Sequence, residues 1–148
     1  MRASPAGTAD RYNSPVVRSE IEQHLRTFFG SIEDVVAVYL FGSVARDAAG
    51  PGSDIDVGVL YRRTPDSTLS AGPLDLEGAL ERQFGQSVQV VILNTAPVDL
   101  RSRVLRDGRL LVDAEPSLRL RFEVGTRNEA FDLEPILREY RAPRERTT

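Results

Sequence analysis

The sequence of 148 residues contains no cysteine and no lysine. Without cysteine there is no disulfide, no thiolate nucleophile and no cysteine-ligated metal, which favours a cytoplasmic protein. All 19 basic residues are arginine, so a catalytic lysine is excluded. No run of about 18 apolar residues occurs, so no membrane-spanning helix is predicted. The net charge of -3 argues against direct nucleic-acid binding, because phosphate backbones usually need a basic surface.

Length and composition indicate one globular domain. A chain of 148 residues, 41% of them hydrophobic, can bury one core but not two independent ones. We expect this domain over residues 15–141, between disordered tails at residues 1–14 and 142–148. The first tail is polar, rich in proline, alanine and glycine, and lacks the apolar segment of a signal peptide.

Helix and strand signals alternate along the chain. Apolar periodicity predicts helices over residues 15–29, 73–84, 96–107 and 116–141. Short β-branched runs predict strands over residues 34–41, 54–61, 87–94 and 109–113. Because the first two strands lie close together, we expect an α/β (α+β) fold with a small mixed sheet flanked by helices. Pro135 is expected to break or kink the last helix after Phe131.

Two aspartates, Asp54 and Asp56, stand at the start of the second predicted strand. Side chains two residues apart on a strand point to the same face, so both carboxylates share one face while Ile55 and Val57 enter the core. Carboxylates this close repel each other, and Mg²⁺ prefers oxygen ligands from one or two carboxylates plus substrate phosphates. The pair therefore predicts either a divalent-metal site or an ordinary solvated strand edge.

A glycine-serine pair, Gly42 and Ser43, closes the first predicted strand and opens a helical turn. Backbone N–H groups at a glycine can approach a phosphate closely, and the Ser43 hydroxyl can donate to it. Arg46, one turn later, can add a positive charge. Each piece alone is common in proteins. The combination of strand, Gly-Ser, ten residues and then D-x-D is much more specific and favours a phosphate and metal site.

The stretch GSVARDAAGPGSDIDVGVL resembles the signature of the DNA polymerase β-like nucleotidyltransferases, in their minimal nucleotidyltransferase (MNT) form. The G-S-x10-D-x-D motif falls on Gly42, Ser43, Asp54 and Asp56, and Ser53 and Arg46 also match its common wording. The resemblance extends over about residues 15–141 and includes a last helix similar to that of MNT proteins encoded with HEPN toxins.

This resemblance implies a polymerase β-like nucleotidyltransferase fold and transfer of a nucleoside monophosphate to an acceptor hydroxyl, with loss of pyrophosphate. It implies that the two aspartates are catalytic and coordinate Mg²⁺. It also implies nucleotide binding by Gly42, Ser43, Arg46 and Ser53. The leading hypothesis is an MNT-type antitoxin that transfers AMP from ATP to a cognate HEPN ribonuclease toxin, without membrane or nucleic-acid contact.

The sequence departs from the family pattern at Gln89, where a third carboxylate is usual. Strand alternation sets Val88 and Val90 on one face and Gln89 on the other, so this lone polar residue is expected to face a cleft and join the catalytic site. A glutamine can ligate a metal weakly but cannot act as a general base, whose contribution is about 10²–10⁴-fold.

Three functions remain open. One is a slow AMP transferase, and the second is a catalytically impaired antitoxin that neutralises the toxin by binding it. The third is a small-molecule nucleotidyltransferase, such as an aminoglycoside-modifying one, which would need an acidic acceptor pocket.

Two further groups of residues allow two interpretations each. The arginines near residue 105 predict either a solvated helix face or a patch for nucleotide phosphates or an acidic partner; they are Arg101, Arg103, Arg106 and Arg109. The apolar positions of the last helix, including Phe122 and Tyr140, are expected mainly in the core, although a small domain can leave some for a partner. His24, the one histidine, is expected at the surface.

Overall fold

The computed structural model describes residues 15–45, 54–65 and 73–141. The predicted tails, residues 1–14 and 142–148, lie outside the described residues. The elements are α1 (Pro15–Gly30), β1 (Val35–Phe41), α2 (Gly42–Ala45), β2 (Ile55–Tyr61), α3 (Pro73–Phe84), β3 (Val88–Ile92), α4 (Val98–Asp107), β4 (Arg109–Asp113) and α5 (Pro116–Arg141). Each predicted helix and strand is present, and the predicted α/β (α+β) fold is confirmed.

The strands form one mixed four-stranded sheet in the order β3-β2-β1-β4. Strand β1 is antiparallel to both β2 and β4, whereas β2 and β3 are parallel and joined through α3. Parallel neighbours need such a crossover, and a helix is its usual form. This topology brings the end of β1 and the starts of β2 and β3 to the same edge of the sheet.

The two faces of the sheet are covered by different helices. On one face, Leu40 and Val57 pack with Leu25 of α1 and Leu80 of α3. On the other face, Tyr39 and Phe41 pack with Val104 of α4, and residues of α5 lie against them. His24 is exposed, as predicted, and its ring contacts the edge of Phe84.

The first half of α5 is tied to the sheet and to α4 by polar contacts. The Tyr39 hydroxyl donates to Glu123 at 2.9 Å, and burial together with this acceptor raises the pKa of Tyr39. The guanidinium of Arg101 donates to the buried Thr126 at 3.2 Å and to Glu129 at 2.6 Å. These contacts fix the position of α4 relative to α5, and therefore the position of everything that α4 carries.

Of the two expected effects of Pro135, a break or a kink, the break is wrong, since α5 runs without interruption from Pro116 to Arg141; the kink stays a prediction. Pro135 has no N–H to donate to the carbonyl of Phe131, which is the bond a proline removes from a helix interior. Residues 131–136 are exposed, so water can satisfy that carbonyl. In the described part of the chain, no helix is long and apolar enough to cross a membrane.

The expectation that the apolar positions of the last helix mainly join the core is correct only for its first half. Leu118 and Phe122 pack against the core. In the second half, Phe131 is 75% exposed, Ile136 50% and Tyr140 82%. A helix of 26 residues is about 39 Å long, more than a small sheet can cover, so its far end leaves apolar side chains in solvent.

Candidate active site

The candidate site lies at the sheet edge where β1 ends and β2 and β3 begin. Asp56 is the register partner of Phe41 on β1 and of Gln89 on β3. Register partners on neighbouring strands point to the same face of a sheet. The side chains of Asp56 and Gln89 therefore lie side by side, on the face that α4 covers.

A cavity of about 460 Å³ opens at this point. Its sheet side is formed by Phe41, Gly42, Ser43, Asp56, Gln89 and Val91, and its other wall by Leu100, Arg103 and Asp107 of α4. The sheet thus contributes a carboxylate, an amide and a hydroxyl, while the helix contributes a guanidinium and a second carboxylate. Groups of this kind can bind a phosphorylated ligand together with a cation.

Asp56 and its neighbours confirm the predicted strand alternation. Ile55 and Val57 are fully buried at 0% exposure, whereas Asp56 is half-buried and Asp54, just before β2, is exposed. Burial raises the pKa of the Asp56 carboxyl, and the charge of Asp54 raises it further. Without a compensating cation, the ionised pair is therefore electrostatically unfavourable.

Gly42 is required by the geometry of the site. Its φ of +74° lies in the left-handed region, which side chains other than glycine rarely adopt. A Cβ at this position would also overlap Oδ2 of Asp56, so the Gly42 backbone lies directly against that carboxylate. Ser43 follows at the start of α2 and lines the cavity.

The predicted site residues are not all brought together. Gly42, Ser43, Asp56 and Gln89 line one cavity, and the prediction that Gln89 faces a cleft is confirmed. Asp54 is two residues from Asp56 in the sequence, but it does not line the cavity. Arg46 and Ser53 lie outside the described residues. The described residues include no group of three or more carboxylates or histidines that could hold a metal ion.

The four arginines near residue 105 have different surroundings. Arg101 is bound to α5, and Nε of Arg109 lies 2.7 Å from Oε1 of the buried Glu22, so both are structural. Arg106 pairs with Asp107 at 3.1 Å. Arg103 forms no hydrogen bond or ion pair with another described residue, and it lines the cavity.

Sequence reasoning places α4 at the nucleotide only in one of its two interpretations, the patch for nucleotide phosphates. It does not distinguish Arg103 from the other three arginines, and it does not single out Asp107. Their spacing of four residues, which puts two side chains on one face of a helix, is the signal that could have found the pair. The burial of Val104 determines which face of α4 turns toward the sheet. The sequence of α4 alone does not reveal what Val104 packs against.

The comparisons with known proteins agree with this geometry. Residues 23–117 match the family described as "Polymerase beta, Nucleotidyltransferase". This range includes all the residues that line the cavity. A search of functionally curated proteins gives no match.

Three solved structures with the same fold come from toxin–antitoxin complexes. A chain of a toxin–antitoxin complex with AMP-PNP is 25% identical, with a TM-score of 0.67 over 82% of this chain and 98% of that chain. A chain from the complex of tri-AMPylated Shewanella oneidensis HEPN toxin with MNT antitoxin is 22% identical, with a TM-score of 0.64 over 84% and 99%. A chain of the MntA–HepT complex has a TM-score of 0.63, 22% identity and the same coverage.

Proposed function

The chain belongs to the polymerase β nucleotidyltransferase family, and on this premise we propose that it is an MNT-type antitoxin that transfers AMP from ATP to a HEPN-type toxin. The observation that carries the proposal is the cavity in which Gly42, Ser43 and Asp56 meet. Its volume lies within the range of about 300–1,000 Å³ that is usual for ligand sites. The similar chains from complexes with AMP-PNP and with an AMPylated HEPN toxin support the nucleotide and the acceptor.

The residues present fit a Mg²⁺ ion. Asp54 and Asp56 would hold it, because their carboxylates repel each other and burial has already raised the pKa of Asp56. The amide oxygen of Gln89 and the hydroxyl of Ser43 line the cavity with Asp56 and are further oxygen donors. When bound, the ion supplies positive charge that polarises a phosphoryl oxygen.

The chain's own residues then bind and orient the reactants. The Gly42 N–H and the Ser43 hydroxyl donate to phosphate oxygens, and Arg103 attracts the same negative charge from the opposite wall. In the transfer, the acceptor oxygen forms a bond to the α-phosphorus, the bond from this phosphorus to the bridging oxygen breaks, and pyrophosphate leaves. Gln89 can hold the acceptor hydroxyl by a hydrogen bond but cannot take its proton, so the proton passes to solvent and the reaction is slow.

A second candidate function is an antitoxin that neutralises the toxin by binding alone. The neutral Gln89 beside Asp56 favours it, because the sheet side of the cavity then carries a single carboxylate. A transferase acting on a cationic small molecule, such as an aminoglycoside, is disfavoured. The next cleft along α4 is rich in arginine and would repel that acceptor.

The test is the transfer of label from ATP that is radiolabelled on its α-phosphate to a purified HEPN toxin encoded in a neighbouring reading frame. We expect Mg²⁺-dependent labelling by the wild type and none by the double variant Asp54→Asn/Asp56→Asn. If the toxin is neutralised by both proteins and labelled by neither, the binding-only function is correct. If the toxin is neither labelled nor neutralised, the proposal is wrong.

A further inference from the structure

A second and larger cleft lies between α4 and the second half of α5. Its volume is about 640 Å³, and we call it the arginine cleft because five arginines line it: Arg103, Arg106, Arg127, Arg138 and Arg141. Two acidic side chains, Asp99 and Glu134, also line it. The cleft thus carries an excess of three positive charges, in a chain whose net charge is -3.

Most of this positive charge is not neutralised locally. Arg106 pairs with Asp107, and Arg138 pairs with Glu134 at 2.9 Å on an exposed part of α5. The other three arginines form no ion pair with any residue that the structure describes; they are Arg103, Arg127 and Arg141. Three like charges around one cleft repel each other, and an anionic partner would relieve that repulsion.

An exposed aromatic side chain accompanies the charge. Phe131 lines the cleft while 75% exposed. Arginine and aromatic residues together are enriched at protein–protein interfaces and among the residues that dominate their affinity. The combination is typical of a surface for a folded protein. Asp99 and Glu134 would repel a nucleic-acid backbone, which further favours a protein.

The arginine cleft is continuous with the candidate active site. Arg103 lines both the cleft and the cavity that contains Asp56 and Ser43. A molecule held in the cleft therefore borders the nucleotide cavity across a single side chain. A transferase that modifies a protein needs a surface of this kind, because its acceptor hydroxyl must be held next to the nucleotide.

We propose that the arginine cleft binds an acidic segment of the acceptor protein and holds its hydroxyl next to the nucleotide cavity. This proposal rests on the proposed function and names the surface that recognises the acceptor. Arg127 and Arg141 act in docking alone, because they line the cleft but not the cavity. Arg103 lies where the docked acceptor meets the nucleotide.

The test uses a charge-reversal variant and a matched control. The variant is Arg127→Glu/Arg141→Glu. The control is Arg121→Glu/Arg63→Glu, which makes the same change of charge at two exposed arginines outside the cleft that also form no ion pair with a described residue. Affinity for the HEPN toxin is measured by calorimetry at two salt concentrations, and the melting shift with Mg²⁺ and AMP-PNP is measured on the same samples.

We expect the cleft variant to bind the toxin at least about tenfold more weakly than the control, because it has lost charges that attract an acidic partner. Its affinity should also depend less on salt, since salt screens the attraction between exposed charges. Its nucleotide-induced melting shift should equal that of the wild type. In the transfer reaction, KM for the toxin should rise while kcat at saturating toxin is kept, which a general loss of structure would not produce.

Other outcomes overturn the proposal in distinguishable ways. If the cleft variant and the control bind toxin as well as the wild type does, the cleft is not the docking surface, and the proposed function survives. If the wild type itself fails to bind the toxin, the proposed function fails. A third outcome is that the wild type binds a labelled single-stranded RNA and the cleft variant does not, while both bind the toxin equally well. In that case the cleft binds nucleic acid and not the toxin.

Discussion

The two faces of β2 serve different purposes within seven residues. Ile55 and Val57 face α1 and α3 and are fully buried, whereas Asp56, between them, faces the cavity beneath α4. One face contributes stability by removing apolar surface from water. The other carries a carboxylate whose pKa is raised by its surroundings. Without a ligand, the ionised form of this carboxylate lowers the stability of the folded protein. The difference teaches that stability and chemistry can be changed separately on one strand.

The largest effect is expected from the buried face. Ile55→Ala should lower the free energy of unfolding by about 2–5 kcal/mol, because it removes buried methyl groups and leaves a cavity. Asp56→Asn, one residue away, should leave the stability without ligand unchanged or higher. Urea denaturation of both variants measures this contrast. An equal loss of stability in the two would mean that the faces do not differ as described.

Gly42→Ala should disturb the chemical face directly. The alanine backbone would have to adopt a left-handed conformation, which alone costs about 1–3 kcal/mol. Its Cβ would also overlap the Asp56 carboxylate. We expect lower stability together with loss of nucleotide binding, measured by calorimetry. Adding Asp56→Ala should recover part of the stability by removing the overlap. No recovery in the double variant would place the strain elsewhere.

Gln89→Asp tests whether the neutral residue limits catalysis. An aspartate beside Asp56 would offer a proton acceptor, so AMP transfer should rise by about tenfold or more, at the low end of general-base contributions. Without metal the added negative charge should make the variant less stable than the wild type at neutral pH. Activity that is already high in the wild type and unchanged by the substitution would show that position 89 does not limit the reaction.

The smallest effect concerns pH. Because the pKa of Asp56 is raised in the folded state, the folded protein binds its proton more tightly than the unfolded chain does. The contribution of Asp56 to stability without ligand should therefore fall as pH rises above about 4, the ordinary pKa of an aspartate, and through the raised value. In urea denaturation, the advantage of Asp56→Asn over the wild type should be larger at neutral pH than at about pH 4. Equal advantages at both would contradict the raised pKa.

The sheet side of the site was predictable, because its information is local. The alternation around Asp56 and the glycine at the end of β1 are each determined by short-range geometry, and the position of Gln89 follows from its own strand. The α4 side was not predictable. Whether Arg103 or Arg101 turns toward the cavity depends on Val104 packing beneath α4 and on Arg101 binding Thr126, which are contacts between segments distant in sequence.

The second half of α5 shows another limit of sequence reasoning. Ile136 and Tyr140 have the spacing of a buried helix face, yet they are exposed. Apolar periodicity predicts that a face will be covered but does not say whether the domain or another protein covers it. The effect of Pro135 likewise depends on whether the helix is covered. Its missing hydrogen bond destabilises the helix less where water contacts the backbone.

The central claim is that Asp54 and Asp56 hold a cation with a nucleotide, and a melting experiment with Mg²⁺ and AMP-PNP tests it most directly. Ligand at about 100 times its Kd adds about 2.7 kcal/mol to the free energy of unfolding, enough to raise Tm by several degrees. We predict this shift for the wild type, a dependence on Mg²⁺, and no shift for Asp54→Asn/Asp56→Asn. An equal shift in the double variant, or none in the wild type, would contradict the claim.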